Sequence, residues 1–121
     1  THLLKIFLAC CDGASDKIDI KWNNKKSLCI VLCSKGYPDI YEKNILINNL
    51  DRLNLDNENF CFHAGTIFKD KKVLAVGGRV LNFVSLSNDF LDSRKKNFDN
   101  LKILNWEKGF YRKDIGYKVI D

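Results

Sequence analysis

The sequence contains no methionine, one proline, two histidines and only four arginines beside sixteen lysines. Each scarcity narrows what the chain can be. The two histidines, His2 and His63, stand at no ligand spacing from a cysteine pair, so nothing in the spacing points to a mixed Cys/His zinc site. No apolar run approaches the roughly 20 residues that a membrane-spanning helix needs, and no secretory signal is present. The five cysteines, at 10, 11, 29, 33 and 61, are an odd number in a chain without such a signal, so a reducing cytoplasm is the expected location. There is no internal repeat and no low-complexity tract. The lack of methionine, together with an amphipathic helix that starts almost at the first residue without a cap, predicts a chain that begins inside a longer fold; an initiator removed before Thr1 would leave the same record.

What is present fits one compact domain: 121 residues, 45% hydrophobic and 29% charged, enough to bury a core without disulfides or metal. A net charge of +5 would suit a polyanion, yet the lysines are scattered in pairs (Lys25-Lys26, Lys71-Lys72, Lys95-Lys96) with no basic stripe interleaved with aromatics. Neither nucleic acid nor membrane is the expected partner.

Leu3, Leu4, Phe7, Leu8 and Cys11 recur at helical spacing and predict the first helix. A polar connector follows from Asp12 to Lys26. The apolar run Leu28 to Cys33 predicts a buried strand, with Cys29 and Cys33 as small core residues, ended by the turn Ser34-Lys35-Gly36-Tyr37-Pro38. Residues 45 to 59 predict a short strand and a surface loop. Phe60 to His63 and Val73 to Val76 read as strands flanking the turn Lys69-Asp70-Lys71-Lys72, and Arg79 to Leu86 as a longer strand with Val80, Phe83 or Val84, and Leu86 inward. Ser87 can cap a second helix whose Phe90, Leu91, Phe98 and Leu101 face the core while Arg94, Lys95 and Lys96 stay solvated. Residues 103 to 119 read as one or two closing strands. The fold class is α+β, a mostly antiparallel sheet with a helix packed on one face.

Three strings set glycine beside polar or cationic residues: His63-Ala64-Gly65-Thr66, Gly77-Gly78-Arg79-Val80-Leu81 and Tyr111-Arg112-Lys113-Asp114-Ile115-Gly116. That composition suits a close backbone approach to a small anion. Two of the four arginines lie in these strings, where a planar fork of donors grips carboxylate or phosphate better than the lysine this chain otherwise uses. The alternatives remain open: Gly77-Gly78 as a bulge with Arg79 on the surface, His63 as a structural hydrogen-bonder, and Arg112 with Asp114 as a simple ion pair.

Taken in order, Ser34-Lys35-Gly36-Tyr37-Pro38, Phe62-His63-Ala64-Gly65-Thr66, Gly77-Gly78-Arg79-Val80-Leu81 and Tyr111-Arg112-Lys113-Asp114-Ile115-Gly116 resemble the carboxy-terminal domain of glycinamide ribonucleotide synthetase, the phosphoribosylamine-glycine ligase family. The resemblance covers about Leu28 to Val119. It implies the C-terminal domain of an ATP-grasp ligase, with residues 1–26 the last helix of the preceding ATP-binding domain plus a linker, and 27–121 the domain itself. In that family, ATP phosphorylates glycine and the amine of 5-phosphoribosylamine attacks the acyl phosphate, an early step of de novo purine synthesis. ATP and magnesium or manganese would belong to the parent enzyme's other domains, which precede this region. The domain alone would be inactive, with no catalytic, cofactor or metal ligands, and would close one wall of the substrate pocket. From charge and glycine context, Arg79, Arg112 and Lys113 are assigned to the phosphate, with Gly78 approaching by its backbone, Asp114 holding Arg112, and His63 and Thr66 lining the pocket. The family usually has glycine where this chain has Asn44, and commonly at Asn49; asparagine tolerates the left-handed conformation, so both turns should survive. The family favours alanine at the helix positions of Ser93 and Asn97, which puts close packing of that helix in question. The rival reading is a small basic RNA-binding or structural interaction domain, with Phe62, Phe83 or Tyr111 as stacking platforms.

Overall fold

A computed structural model describes residues 1–120. Helix α1 (Leu3–Cys11) and a single 3-10 turn (Ser15–Lys17) precede the main body. That body comprises β1 (Lys26–Ser34), β2 (Ile45–Leu46), β3 (Asn59–His63), β4 (Thr66–Lys69), β5 (Lys72–Ala75), β6 (Arg79–Ser87), α2 (Phe90–Leu104) and β7 (Gly109–Phe110). The strands form two antiparallel sheets, one ordered β3-β6-β1-β7 and one ordered β2-β5-β4. Helix α2 covers one face of the larger sheet, over β1 and β6.

The larger sheet is half-buried, not buried through. Leu28, Ile30 and Leu32 of β1 lie opposite Ser85, Phe83 and Leu81 of β6 and face α2, forming the core with Leu101 and Leu104. Strand alternation turns the residues between them to the other side. This corrects two expectations. Cys29 is exposed and Cys33 half-buried on the open face, and Leu86 is only half-buried there, while Val80, Leu81 and Phe83 are the buried apolar residues of β6. The strand that turns into β5 is β4, not β3. Asp70 and Lys71 make that turn at positive φ, whereas β3 pairs only with β6.

The two sheets meet where Gly65 and Gly77 touch. A Cβ on Gly65 would lie 2.6 Å from the Gly77 Cα and 2.6 Å from the Arg79 carbonyl oxygen, so only glycine permits the contact. Its backbone closes the junction: Gly65 N–H donates to the Arg79 carbonyl at 2.8 Å, and the Gly65 carbonyl accepts from Val76 and Gly77. Asn44 and Asn49 both hold positive φ, 60° and 63°, so asparagine does serve at those turns.

Helix α2 docks through polar side chains. Asn97 and Ser93 are buried, and Asn97 Nδ2 donates to the Leu28 carbonyl at 2.8 Å while its Oδ1 accepts from Ser85 Oγ at 2.8 Å. Ser93 Oγ reaches the Lys26 carbonyl at 3.2 Å. The two polar substitutions that put packing in question are therefore the residues that bind the helix to β1 and β6. The cap is Asp89, whose carboxylate accepts from Asp92 N–H at 2.7 Å, and not Ser87, which donates to the Asp92 carboxylate and, with Lys96, holds it below its ordinary pKa. Leu91 is 62% exposed. Arg94 is only partly solvated: its guanidinium lies over the Phe98 ring, 5.1 Å from the centroid, and donates to the Lys113 carbonyl. After α2 the only strand among the described residues is the two-residue β7. Residues 113–116 form a turn, followed by a short 3-10 turn at Tyr117–Val119.

The apolar residues of α1 repeat as expected, but the helix buries none of them. Leu3, Leu4, Phe7 and Leu8 are each more than half exposed. Among the thiols, burial pushes Cys61 up to about 11, so it stays protonated at neutral pH, whereas Cys10 and Cys11 are exposed on α1. Iodoacetamide at pH 8 should therefore label Cys10 and Cys11 well before Cys61, as read by peptide mass spectrometry; equal rates would contradict the packing of β3.

Candidate functional site

The open face of the larger sheet carries only part of what the sequence singles out, Arg79 above all. Its floor is Cys29, Val31 and Cys33 of β1, opposite Val84, Asn82 and Arg79 of β6. Arg79 reaches this face because of a bulge. Leu32 pairs with Leu81 but Cys33 pairs with Arg79, so Val80 is an extra residue on β6. Without it Arg79 would follow Leu81 to the core side; with it the guanidinium emerges beside Cys33. The alternatives of bulge and ligand approach thus coincide, since the bulge is what aims the side chain.

Arg79 lines an open cavity of about 540 Å³ with Val31, Tyr37, Ala64, Gly65, Gly78 and Asn82. Gly78 is buried against the Tyr37 ring, and a Cβ there would lie 2.0 Å from Tyr37 Cδ2. The turn that bears Gly78 is held from below: Ser34 N–H donates to the Gly78 carbonyl at 2.8 Å, and Ser34 Oγ donates to the Gly77 carbonyl at 2.9 Å. Among the described residues, the Arg79 side chain has no carboxylate partner. An exposed, unpaired guanidinium beside an amide side chain and a glycine backbone is chemically suited to an anion.

Arg112 lies in a neighbouring, more apolar cavity of about 370 Å³ with Cys29, Val31, Cys33, Tyr37, Pro38, Phe110, Tyr111 and Ile115. The two cavities share Val31 and Tyr37, so the two arginines open onto one side of the molecule. They are not equivalent. Arg112 Nε donates to Asp114 Oδ1 at 3.0 Å and Nη2 to Oδ2 at 2.5 Å, a two-point pair that lowers the Asp114 pKa and raises that of Arg112. Part of the Arg112 charge is already answered.

The remaining site residues fall outside both cavities. His63 is exposed and shares a 2.9 Å hydrogen bond with Thr66 Oγ1, and neither is among the residues that line the Arg79 cavity. His63 pairs with Leu81, on the helix-side register of β3. Lys113 is exposed, and its carbonyl accepts from Arg94. The sequence reasoning missed Tyr37 and Asn82 as cavity residues. For Asn82 a signal was there: one polar residue inside the apolar strand Val80-Leu81-Asn82-Phe83-Val84. As for the aromatic platforms of the rival reading, Phe83 is 1% exposed in the core and Tyr111 half-buried, which leaves Phe62 beside Phe60 on the open face.

Fold and site define an α+β domain whose open sheet face presents a glycine-buttressed guanidinium. The profile of the family described as "Phosphoribosylglycinamide synthetase, C domain" matches residues 27–118, and the chain belongs to that family. It is 39% identical, over its whole length and 15% of the relative's, to the bifunctional purine biosynthetic protein purD of Dictyostelium discoideum. It is 34% identical, over its whole length and 28% of the relative's, to the phosphoribosylamine--glycine ligase of Brucella melitensis. The crystal structure of the phosphoribosylamine--glycine ligase of Thermotoga maritima superposes with a TM-score of 0.69 at 27% identity, covering 91% of this chain and 27% of that one. The chain thus spans between about a seventh and somewhat over a quarter of the length of these relatives.

Proposed function

We propose that the chain serves as the carboxy-terminal domain of an ATP-dependent ligase that joins 5-phosphoribosylamine and glycine into glycinamide ribonucleotide, in the cytoplasm, during de novo purine synthesis. Its role is to close one wall of the substrate pocket and to hold the phosphate of phosphoribosylamine. The observation that carries this role is the Arg79 guanidinium, aimed by a strand bulge into an open cavity and without a carboxylate partner among the described residues. Arg112 opens onto the same side and is held in place by Asp114, which leaves it a secondary donor whose charge is largely balanced. Lys113, His63 and Thr66 act from the rim, where the other domains would approach.

ATP and its magnesium or manganese are assigned to the rest of the longer protein. Among the described residues no group of three or more His, Cys, Asp or Glu side chains is placed to hold a metal ion. The work assigned to this chain is binding and orientation of the amine-bearing substrate, which raises the effective concentration of the nucleophile.

The test is a reconstitution. The full-length protein that carries this chain should form glycinamide ribonucleotide and ADP from ATP, glycine and phosphoribosylamine, and the isolated chain should form none. A full-length protein that turns over ATP with a different amine, and ignores phosphoribosylamine, would refute the reading.

A further inference from the structure

We infer that Tyr37 is a positioning residue for the phosphate-bearing substrate: its ring fixes the Gly77-Gly78-Arg79 turn from one side and forms the wall between the Arg79 and Arg112 cavities. The inference rests on the reading of the Arg79 cavity as a substrate site and adds a residue to it.

Three observations converge. The ring lies so close over Gly78 that a Cβ there would stand 2.0, 2.5 and 2.9 Å from Tyr37 Cδ2, Cε2 and Cγ. The ring thus occupies the space a side chain would need, and this contact, not an unusual φ, explains glycine at position 78. The turns bearing the two residues are also tied together: Tyr37 N–H donates to the Ser34 carbonyl at 3.0 Å, and Ser34 holds both the Gly77 and Gly78 carbonyls. Finally, Tyr37 and Val31 are the residues common to both cavities. Val31 is the floor on β1, so the ring is the upright partition. Tyr41 packs against it edge-on with ring centroids 6.1 Å apart, which limits its rotation.

The consequence is geometric. With the ring in place, a phosphate entering beside Arg79 is confined to a compartment bounded by Asn82 and the Gly65 and Gly78 backbones. Without it, the roughly 540 and 370 Å³ spaces join, and the Gly78 side of the bulge loses its support. Arg79 would keep its charge but lose its aim, and a phosphate would share a wider, wetter space.

The experiment measures KM for phosphoribosylamine, glycine and ATP, together with kcat and melting temperature, for Tyr37→Ala, Tyr37→Phe and Arg79→Ala in the full-length protein. Tyr37→Ala should raise KM for phosphoribosylamine about tenfold while leaving kcat and the ATP KM within about twofold. Tyr37→Phe, which keeps the wall, should behave as wild type. If Tyr37→Ala is recovered only as aggregate, Tyr37→Leu, which keeps bulk but not the flat ring, should show the same split. A lowered melting temperature with unchanged KM values would reduce Tyr37 to a structural residue and overturn the inference. Impairment of Tyr37→Phe equal to that of Tyr37→Ala would overturn it too, by assigning the work to the hydroxyl. A raised KM in Arg79→Ala with none in Tyr37→Ala defeats this inference alone, whereas unchanged KM in both defeats the reading of the site beneath it.

Discussion

Asn97→Ala should destabilise the domain by about 2–4 kcal/mol, because it leaves two buried groups without partners, each costing about 1–3 kcal/mol. The groups are the Leu28 carbonyl on β1 and the Ser85 hydroxyl on β6, both now bonded to the one amide at 2.8 Å. Asn97 and Ser85 are each about 1% exposed, so water cannot replace the lost bonds without entering the core. For a domain of this size that loss lowers the melting temperature by roughly 10 °C. Asn97→Leu should fare little better despite its apolar volume, since the carbonyl and hydroxyl stay orphaned. Adding Ser85→Ala to Asn97→Leu should recover part of the loss, a non-additivity that a double-mutant cycle reads directly. Calorimetry showing an unchanged melting temperature in Asn97→Ala would mean that α2 is not held to the sheet in this way.

Arg79→Ala should raise KM for phosphoribosylamine in the full-length protein by about 10- to 100-fold, the equivalent of one charge-assisted hydrogen-bonded contact of about 1.5–3 kcal/mol. The ATP KM should stay within about twofold, because this chain is assigned no contact with nucleotide. Arg112→Ala should do less, since Asp114 already engages the Nε and Nη2 donors of its guanidinium. Arg79→Lys should rescue only partly: a lysine restores the charge but not the planar fork. Steady-state kinetics with phosphoribosylamine as the varied substrate measures all three, and an unchanged KM in Arg79→Ala would remove the phosphate role.

The parts of the fold that follow from periodicity were legible. Helix α1, strand β1 with its terminating turn, strand β6 and helix α2 stand where their apolar spacing puts them. What failed did so where burial and polarity part company. Strand β4 is exposed along most of its length, with Phe68 75% exposed, so no core-facing alternation marks it. The unbroken run Leu28 to Cys33 reads as buried on both faces, yet its odd positions form the open face. Asn97 and Ser93 put the packing of α2 in question, because a helical pattern cannot see the carbonyls waiting on β1. The adjacency of glycine and Arg79 was legible as a possible anion contact, but the bulge that aims the side chain depends on register between β1 and β6, which no single strand encodes. Tyr37 reads in the sequence as part of a turn and of a family-like string, since its contact with Gly78 joins residues far apart in the chain.

The most direct test is the crystal structure of the full-length protein with glycinamide ribonucleotide bound. The account predicts its phosphate on the open sheet face, within about 3 Å of the Arg79 guanidinium nitrogens and alongside Gly78. A phosphate held wholly by other domains, with Arg79 turned into solvent, would contradict it.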